Sequence, residues 1–302
     1  MKSKLNEWQQ GIRAALEREP NAVADFVAEL MAQNAPRPYW ENERVKVFHG
    51  FGQQLVQRIG AVDAVVMDPP YASGGFTEAT KKATAGMGLR SETVREIGWF
   101  EGDSMTTAGV CWLLHSVACW CSRIMTEGAT LTTFTDWRMV AALAPAIEGS
   151  GLRFQNMIVW AKQSAGLGTG FKATHELALH FALGTPKYYA LDGSNVIHCK
   201  RMNPRDRVHQ TQKPVELMAE IVRVVSDVEQ VVLDPFAGSG STLVAAYRLG
   251  RRAVGFELSE KNCEEIAKRF ENELPFQYDD ARTQTSLFQD EGADDAQALE
   301  KL

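Results

Sequence analysis

Val231-Val-Leu-Asp234-Pro235-Phe236-Ala-Gly238-Ser-Gly240-Ser241-Thr242 sets an apolar run directly against a glycine loop, and a helical pattern follows. The run reads as a buried strand ending at Asp234, because the proline after it cannot extend a ladder. Gly238 and Gly240 let the backbone approach a ligand closely, and the helix start offers free N–H groups. Glu257 ends the next apolar run, 23 residues after Asp234. That is near the ~20-residue offset at which an acid reaches ribose hydroxyls in nucleotide-binding βαβ units. No lysine follows Gly240, so this is not a phosphate-binding Walker loop.

A second strand end carries chemistry of another kind. Val65-Val66-Met67 runs into Asp68-Pro69-Pro70-Tyr71, and a glycine-containing loop follows from Ser73 to Phe76. Two prolines fix φ twice and remove two N–H donors, more than a plain strand terminator needs. Asp68 and the Pro69 carbonyl can accept both hydrogens of an amino group, and Tyr71 offers a face for a planar base. An aromatic amine is a poor nucleophile because its lone pair is delocalised into the ring. Two acceptors on its N–H groups favour a pyramidal nitrogen with the lone pair available.

Around these two points, short β runs alternate with helical stretches. Strands are expected at Val45–Phe48, Val62–Met67, Thr130–Thr135, Phe154–Trp160, Leu177–Phe181, Val231–Leu233 and Ala253–Phe256. Helices are expected at Ala108–Met125, Met139–Glu148, Val215–Val225 and Ser241–Leu249. This alternation implies an α/β fold, a mostly parallel doubly wound sheet with helices on both faces. Ligands in such sheets bind beyond the carboxyl ends of the strands, where both motifs fall. Ahead of the domain, Trp8, Ile12 and Leu16, then Val23, Phe26, Val27, Leu30 and Met31, keep helical spacing, so residues 1–40 are expected to form a helical extension. Residues 41–276 form the expected catalytic domain. Residues 277–302 read as an acidic, disordered tail.

With 302 residues, 45% of them hydrophobic and 23% charged, the composition is that of a globular protein. Five cysteines without a CxxC pair argue against a disulfide framework or a zinc site, and Cys119 and Cys121 read as core thiols. No histidine shows ligand spacing, so no metal is expected. The first residues lack an apolar stretch behind their charges, and 109–125 is interrupted by His115, Ser116, Ser122 and Arg123. No membrane partner is therefore expected, and the compartment reads as reducing and cytoplasmic. The net charge of −6 is concentrated in the tail, which carries −5, while His198–Lys213 carries +4. A basic loop on a nearly neutral body suits a polyanion.

Asp-Pro-Pro-Tyr at 68–71 together with Asp-Pro-Phe-Ala-Gly-Ser-Gly at 234–240 resembles the S-adenosylmethionine-dependent DNA amino-methyltransferases. The catalytic motif precedes the cofactor motif, a circularly permuted order similar to the family's β group. The match continues through Ile158-Val-Trp160-Ala-Lys162, Gly166-Leu-Gly168, His175-Glu176-Leu177 and His209-Gln-Thr211-Gln212-Lys213-Pro214, covering about residues 44–272.

The resemblance implies a Rossmann-like methyltransferase fold, S-adenosyl-L-methionine as cofactor and DNA as partner. It leaves a homodimer open. By the same resemblance Asp68, Pro69, Pro70 and Tyr71 are catalytic. Asp234, Phe236, Gly238, Gly240, Ser241, Thr242, Glu257, Thr211, Gln212 and Lys213 would hold the cofactor, and Lys213 could also bond a carboxylate. One departure is visible: His49-Gly50 is followed by Phe51 where the family typically has an Asp that bonds the cofactor adenine.

The expected reaction is methyl transfer to the exocyclic amine of a flipped DNA base. Adenine N6 is preferred over cytosine N4 because Asp in the first motif position is commoner among adenine enzymes. RNA or protein-amide methylation, a regulator without catalysis and a nicotinamide-dependent oxidoreductase are the rival readings. DNA contacts are expected from Lys81, Lys82 and Arg90 in the loop after the catalytic motif. Lys200, Arg201, Arg205 and Arg207 would add contacts from a short recognition insertion at about 182–208. Phosphate contacts carry no sequence information, so a relaxed or very short recognition site is expected.

Overall fold

In a computed structural model of the chain, the alternating pattern forms one sheet with helices on either side. The structure describes residues 37–50, 59–71, 105–162, 170–200 and 212–272. The chain divides between Arg37 and Pro38 into two units, and the elements below all belong to the second. The expected N-terminal helices, Phe51, the loop carrying Lys81, Lys82 and Arg90, residues Arg201, Arg205, Arg207 and Thr211, and the acidic tail lie outside the described residues.

In chain order the elements are β1 (Trp40–Glu41), β2 (Val45–His49), β3 (Val62–Met67), α1 (Thr107–Ile124), β4 (Met125–Thr135), α2 (Val140–Glu148), β5 (Arg153–Ala161), β6 (His175–Ala182), β7 (Val196–His198), α3 (Val215–Val225), β8 (Val231–Asp234), α4 (Ser241–Arg248), β9 (Arg252–Glu257) and α5 (Glu260–Glu271). Among the described residues the sheet has nine strands in the order β1-β2-β9-β8-β3-β4-β6-β5-β7. Pairing is parallel from β2 through β9, β8 and β3 to β4, and again between β5 and β7. It is antiparallel for β1–β2, β4–β6 and β5–β6.

Strand β3 shows how sequence period becomes two-sided burial. Ala64 and Val66 pack on one face with α3, α4 and α5, while Val65 and Met67 pack on the other with α1 and α2. Both faces are covered, so the central strands are nearly continuous apolar runs. At the α4 side the fit leaves no room for a side chain at Gly255: a Cβ there would sit 2.7 Å from Leu243 Cδ1.

The two-residue β1 and three-residue β7 are too short to show a period. Within the expected insertion at about 182–208, Val196–His198 joins the sheet edge beside β5. Cys121 is wholly buried as expected; Cys119 is only half-buried, its Sγ 3.5 Å from His115 Nε2.

One buried cation ties two helix ends together. Arg251 is 1% exposed, and its guanidinium donates to the carbonyls of Ser226 and Leu249, each at 2.6 Å, the caps of α3 and α4. Burial lowers its pKa to about 10, which leaves it charged where two helix C-termini favour a cation. Arg251→Ala strands two buried carbonyls and opens a cavity, so stability should fall by about 3 kcal/mol. Urea unfolding checks this, and a loss below about 1 kcal/mol would contradict it.

Candidate active site

Parallel pairing places the functional strand ends along one edge. Val65 lies opposite Leu233, Asp234 opposite Gly255, and His49 opposite Glu257. The ends of β2, β9, β8, β3 and β4 therefore open side by side. The start of β6 and the end of β5 join them, since Trp160 lies opposite Glu176.

The glycine loop between β8 and α4 is shaped from inside. Asp234, 2% exposed, accepts from the Phe236 N–H at 3.0 Å and from the Thr242 hydroxyl. Burial raises the Asp234 pKa to about 7 against both of those hydrogen bonds. Gly238 and Gly240 adopt φ of +53° and +78°, the left-handed region that glycine enters without penalty. Gly238 donates its N–H to Glu257 Oε2 at 2.8 Å, and Glu257 Oε1 accepts from Ser259 N–H at 2.8 Å and Asn262 Nδ2 at 3.3 Å. Helix α4 starts at Gly240 without a side-chain cap.

The two glycines differ in what surrounds them. A Cβ on Gly238 would meet nothing nearer than Phe236 O at 3.8 Å, whereas one on Gly240 would lie 3.1 Å from Ile266 Cγ1 in α5. Gly240 thus serves helix packing, and Gly238 borders the open side of the loop. Ser241 and Thr242 turn inward: both are buried, and the Ser241 hydroxyl donates to the Lys213 carbonyl at 2.8 Å. Of the expected cofactor residues, Phe236, Gly238 and Glu257 line the exposed part of the loop. Asp234, Gly240, Ser241 and Thr242 shape it from behind. Gln212 is buried before α3. A half-exposed carboxylate, an open glycine face and an uncapped helix start fit a ligand that brings hydroxyls and a carboxylate.

Beyond β3 the polar groups form a connected cluster. Tyr71 donates its hydroxyl to Asp68 Oδ1 at 2.7 Å, and Lys213 Nζ donates to Asp68 Oδ2 at 2.6 Å and to the Tyr71 oxygen at 3.2 Å. Lys213 Nζ also stands 3.2 Å from Glu176 Oε2, and Glu176 Oε1 accepts from Lys162 Nζ. The Lys213 ammonium sits over the rings of Phe134 and Tyr71 at 4.9 and 5.4 Å, and Lys162 over Trp160 at 5.0 Å. Burial disfavours the charged form of Lys213, but the carboxylates of Asp68 and Glu176 outweigh it and hold the pKa above the ordinary lysine value. Burial likewise pushes Glu176 up, and Lys213 and Lys162 overcome it, leaving the carboxyl below its usual range. Burial and the neighbouring carboxylates raise Tyr71 well above the usual phenol value, so it stays a hydrogen-bond donor.

Lys213, expected to close the cofactor pocket and able to bond a carboxylate, bonds that of Asp68. Tyr71, expected to offer a face for a planar base, also turns its hydroxyl into the cluster. Glu176 and Lys162 stand in the matched segments without an assigned role, and the structure brings both into the cluster. Of the expected DNA contacts only Lys200 lies within the described residues, just past β7. Among the described residues no group of three or more His, Cys, Asp or Glu could hold a metal, and no helix is long and apolar enough to cross a membrane.

Two tests follow from the loop. Alanine at Gly240 should cost about 1–2 kcal/mol for its left-handed backbone, plus crowding against Ile266. In a double-mutant cycle Ile266→Ala should recover part of the Gly240→Ala loss and none of a Gly238→Ala loss; equal coupling would contradict the packing role. Asp234 holds its proton in the folded state up to about pH 7, while the unfolded residue loses it near 4. Stability contributed by this group is thus full below pH 4, falls as pH climbs to 7, and stays low above. Asp234→Asn removes that dependence and should gain about 2–3 kcal/mol on wild type between pH 5 and 8. Urea unfolding at both values checks it, and a constant gap would contradict it.

Residues 62–269 match the model of the DNA methylase family that covers N6 and N4 enzymes. The methylase YubD of Escherichia coli K12 is 30% identical over 204 residues, covering 67% of this chain and 78% of that protein. The type II methyltransferase M2.LlaDCHI of Lactococcus lactis subsp. cremoris is 26% identical over 253 residues, 77% of this chain and 91% of its own. Among solved structures, the cytosine-N4-specific PvuII DNA methyltransferase shares the fold at 13% identity, with a TM-score of 0.62 over 83% of this chain and 93% of that one. M1.HpyAVI, solved as a complex with S-adenosylmethionine, does so at 20% identity and a TM-score of 0.56, over 75% and 98%. The chain belongs to the DNA methylase family.

Proposed function

We propose that this protein transfers a methyl group from S-adenosyl-L-methionine to N6 of an adenine flipped out of duplex DNA. The observation that carries the reading is the adjacency of two strand ends. The Asp68 carboxylate stands at the end of β3, and the Gly238 loop at the end of β8, the strand paired with it. The cofactor supplies an electrophilic methyl on a sulfonium. Phe236, Gly238 and Glu257 would hold its adenosine, with Glu257 toward the ribose hydroxyls, and Gln212 would close the pocket from the α3 side.

On the substrate side, Asp68 accepts a hydrogen from the amine while the Pro69 carbonyl takes the other. Pro70 fixes the turn. The amine nitrogen is thereby aimed at the methyl group, and proximity and orientation supply much of the acceleration. Asp in the first motif position supports adenine over cytosine by the family resemblance. The permuted motif order supports DNA over RNA or protein, and the site of action is the cytoplasm.

In the described part of the 182–208 segment, two observations support a relaxed or very short recognition site. Val196–His198 belongs to the sheet. Tyr188 lies 3.2 Å from His180 Nε2, and the Tyr189 hydroxyl accepts from Gln230 at 2.7 Å, so both rings are tied to the body.

Incubation of the wild-type protein with S-adenosylmethionine and genomic DNA, followed by nucleoside mass spectrometry and mapping of methylated positions, tests the reading. N6-methyladenine at sites with fewer than four fixed bases is expected; N4-methylcytosine alone would overturn the adenine assignment. Asp68→Ala should lose at least tenfold in turnover while its affinity for S-adenosylmethionine, read by calorimetry, stays within about threefold. Turnover above a tenth of wild type would remove Asp68 from the chemistry.

A further inference from the structure

The Asp68 acceptor is already occupied. Lys213 Nζ holds Asp68 Oδ2 at 2.6 Å and Tyr71 holds Oδ1 at 2.7 Å, so an arriving amine competes with an ammonium ion for the same oxygen. Lys213 is 6% exposed, and a buried cation leaves its counter-ion only at high cost unless a second one waits nearby. Glu176 is that second counter-ion. Glu176 Oε2 lies 3.2 Å from Lys213 Nζ, and this buried oxygen receives no aligned hydrogen bond. Its other oxygen is held by Lys162, itself placed over the Trp160 ring. Glu176 is therefore fixed in place with its second oxygen already at ion-pair distance from Lys213.

We propose that Glu176 is a positioning residue for Asp68: Lys213 bridges the two carboxylates, and when the target amine enters, Glu176 Oε2 retains the ammonium while Asp68 Oδ2 is released to the amine. The step moves no bond and no proton. The cluster holds two carboxylates and two ammonium groups before and after, and the Lys213 ammonium keeps the Phe134 and Tyr71 ring faces beside it. Without the Glu176 charge, Lys213 would have to stay on Asp68 or be stranded, and the amine would meet an acceptor whose charge is already drawn to an ammonium ion. The inference rests on the reading of Asp68 as the amine acceptor.

The test is steady-state and single-turnover methylation of duplex DNA by wild type, Glu176→Gln, Glu176→Asp, Lys213→Met and the double variant Lys213→Met/Glu176→Gln. Glu176→Gln keeps the shape and removes the charge. Its kcat should fall at least tenfold, while KM for S-adenosylmethionine and the Kd for DNA stay within about threefold. Glu176→Asp, which restores the charge, should recover part of the turnover. In the Lys213→Met background Glu176→Gln should have less than a threefold further effect, because no ammonium remains to be moved; a merely structural role would multiply the two losses.

Wild-type turnover in Glu176→Gln, or multiplied losses in the double variant, overturns the inference. Should Glu176→Gln fail to fold by circular dichroism, Glu176→Asp decides by the same kcat split, wild-type turnover again overturning it. Failure of the underlying reading looks different: wild type would leave DNA unmethylated, or Asp68→Ala would keep its activity.

Discussion

Ala64 pairs with Val232 and Val65 with Leu233, both in parallel, and everything in the site depends on that seam. It brings together two strand ends that lie 166 residues apart in the sequence, Asp68 and Asp234. Parallel strands share a carboxyl edge, so their loops must open on the same side. Burial on both faces of β3 and β8 fixes their register, because a one-residue slip would exchange the α1–α2 face for the α3–α5 face. Chemistry is therefore positioned by packing well away from it. Helices α3 and α4 hold β8 and β9 in line, and Arg251 ties the far ends of those helices.

At the edge itself, two kinds of polar economy operate. The cofactor side is built from backbone: left-handed glycines, an uncapped helix start and a carboxylate that gathers N–H groups. The substrate side is built from charge. Asp68, Lys213, Glu176 and Lys162 alternate in sign along a partly buried chain, and each carboxylate has an ammonium within hydrogen-bond reach. Such a network gains less in stability than its close distances suggest, since desolvation offsets attraction. Its value lies in holding side chains at defined places. The Ser241 bond to the Lys213 carbonyl joins the two sides, so the helix that opens the glycine loop also anchors the lysine that contacts Asp68.

Much of this was legible in the residues. Strand β3 and helix α3 appear with the bounds their apolar spacing implied, and the two loops with special chemistry sit where the Asp-Pro steps announced them. Helix α5 was not singled out, although Cys263, Ile266 and Phe270 are buried at helical spacing behind a Ser259 cap. Its charged outer face masks that stripe. Strands β1 and β7 exist only by pairing with neighbours, which no local pattern encodes. The partner of Lys213 was half visible: the lysine suggested a carboxylate, but that carboxylate lies 145 residues away. Only the sheet order places β6 between β4 and β5 and so brings Glu176 to Asp68. Side chains such as Ser241 and Thr242 sit in a ligand-binding motif yet point inward, a distinction that requires coordinates.

The most direct measurement is a crystal structure of the protein with S-adenosylhomocysteine and a short DNA duplex. The account predicts an extruded adenine whose amine donates to Asp68, facing the sulfur across the β3–β8 seam, with Lys213 Nζ on Glu176. An extruded base whose amine lies away from Asp68, with Lys213 still bonded to that carboxylate, would contradict it.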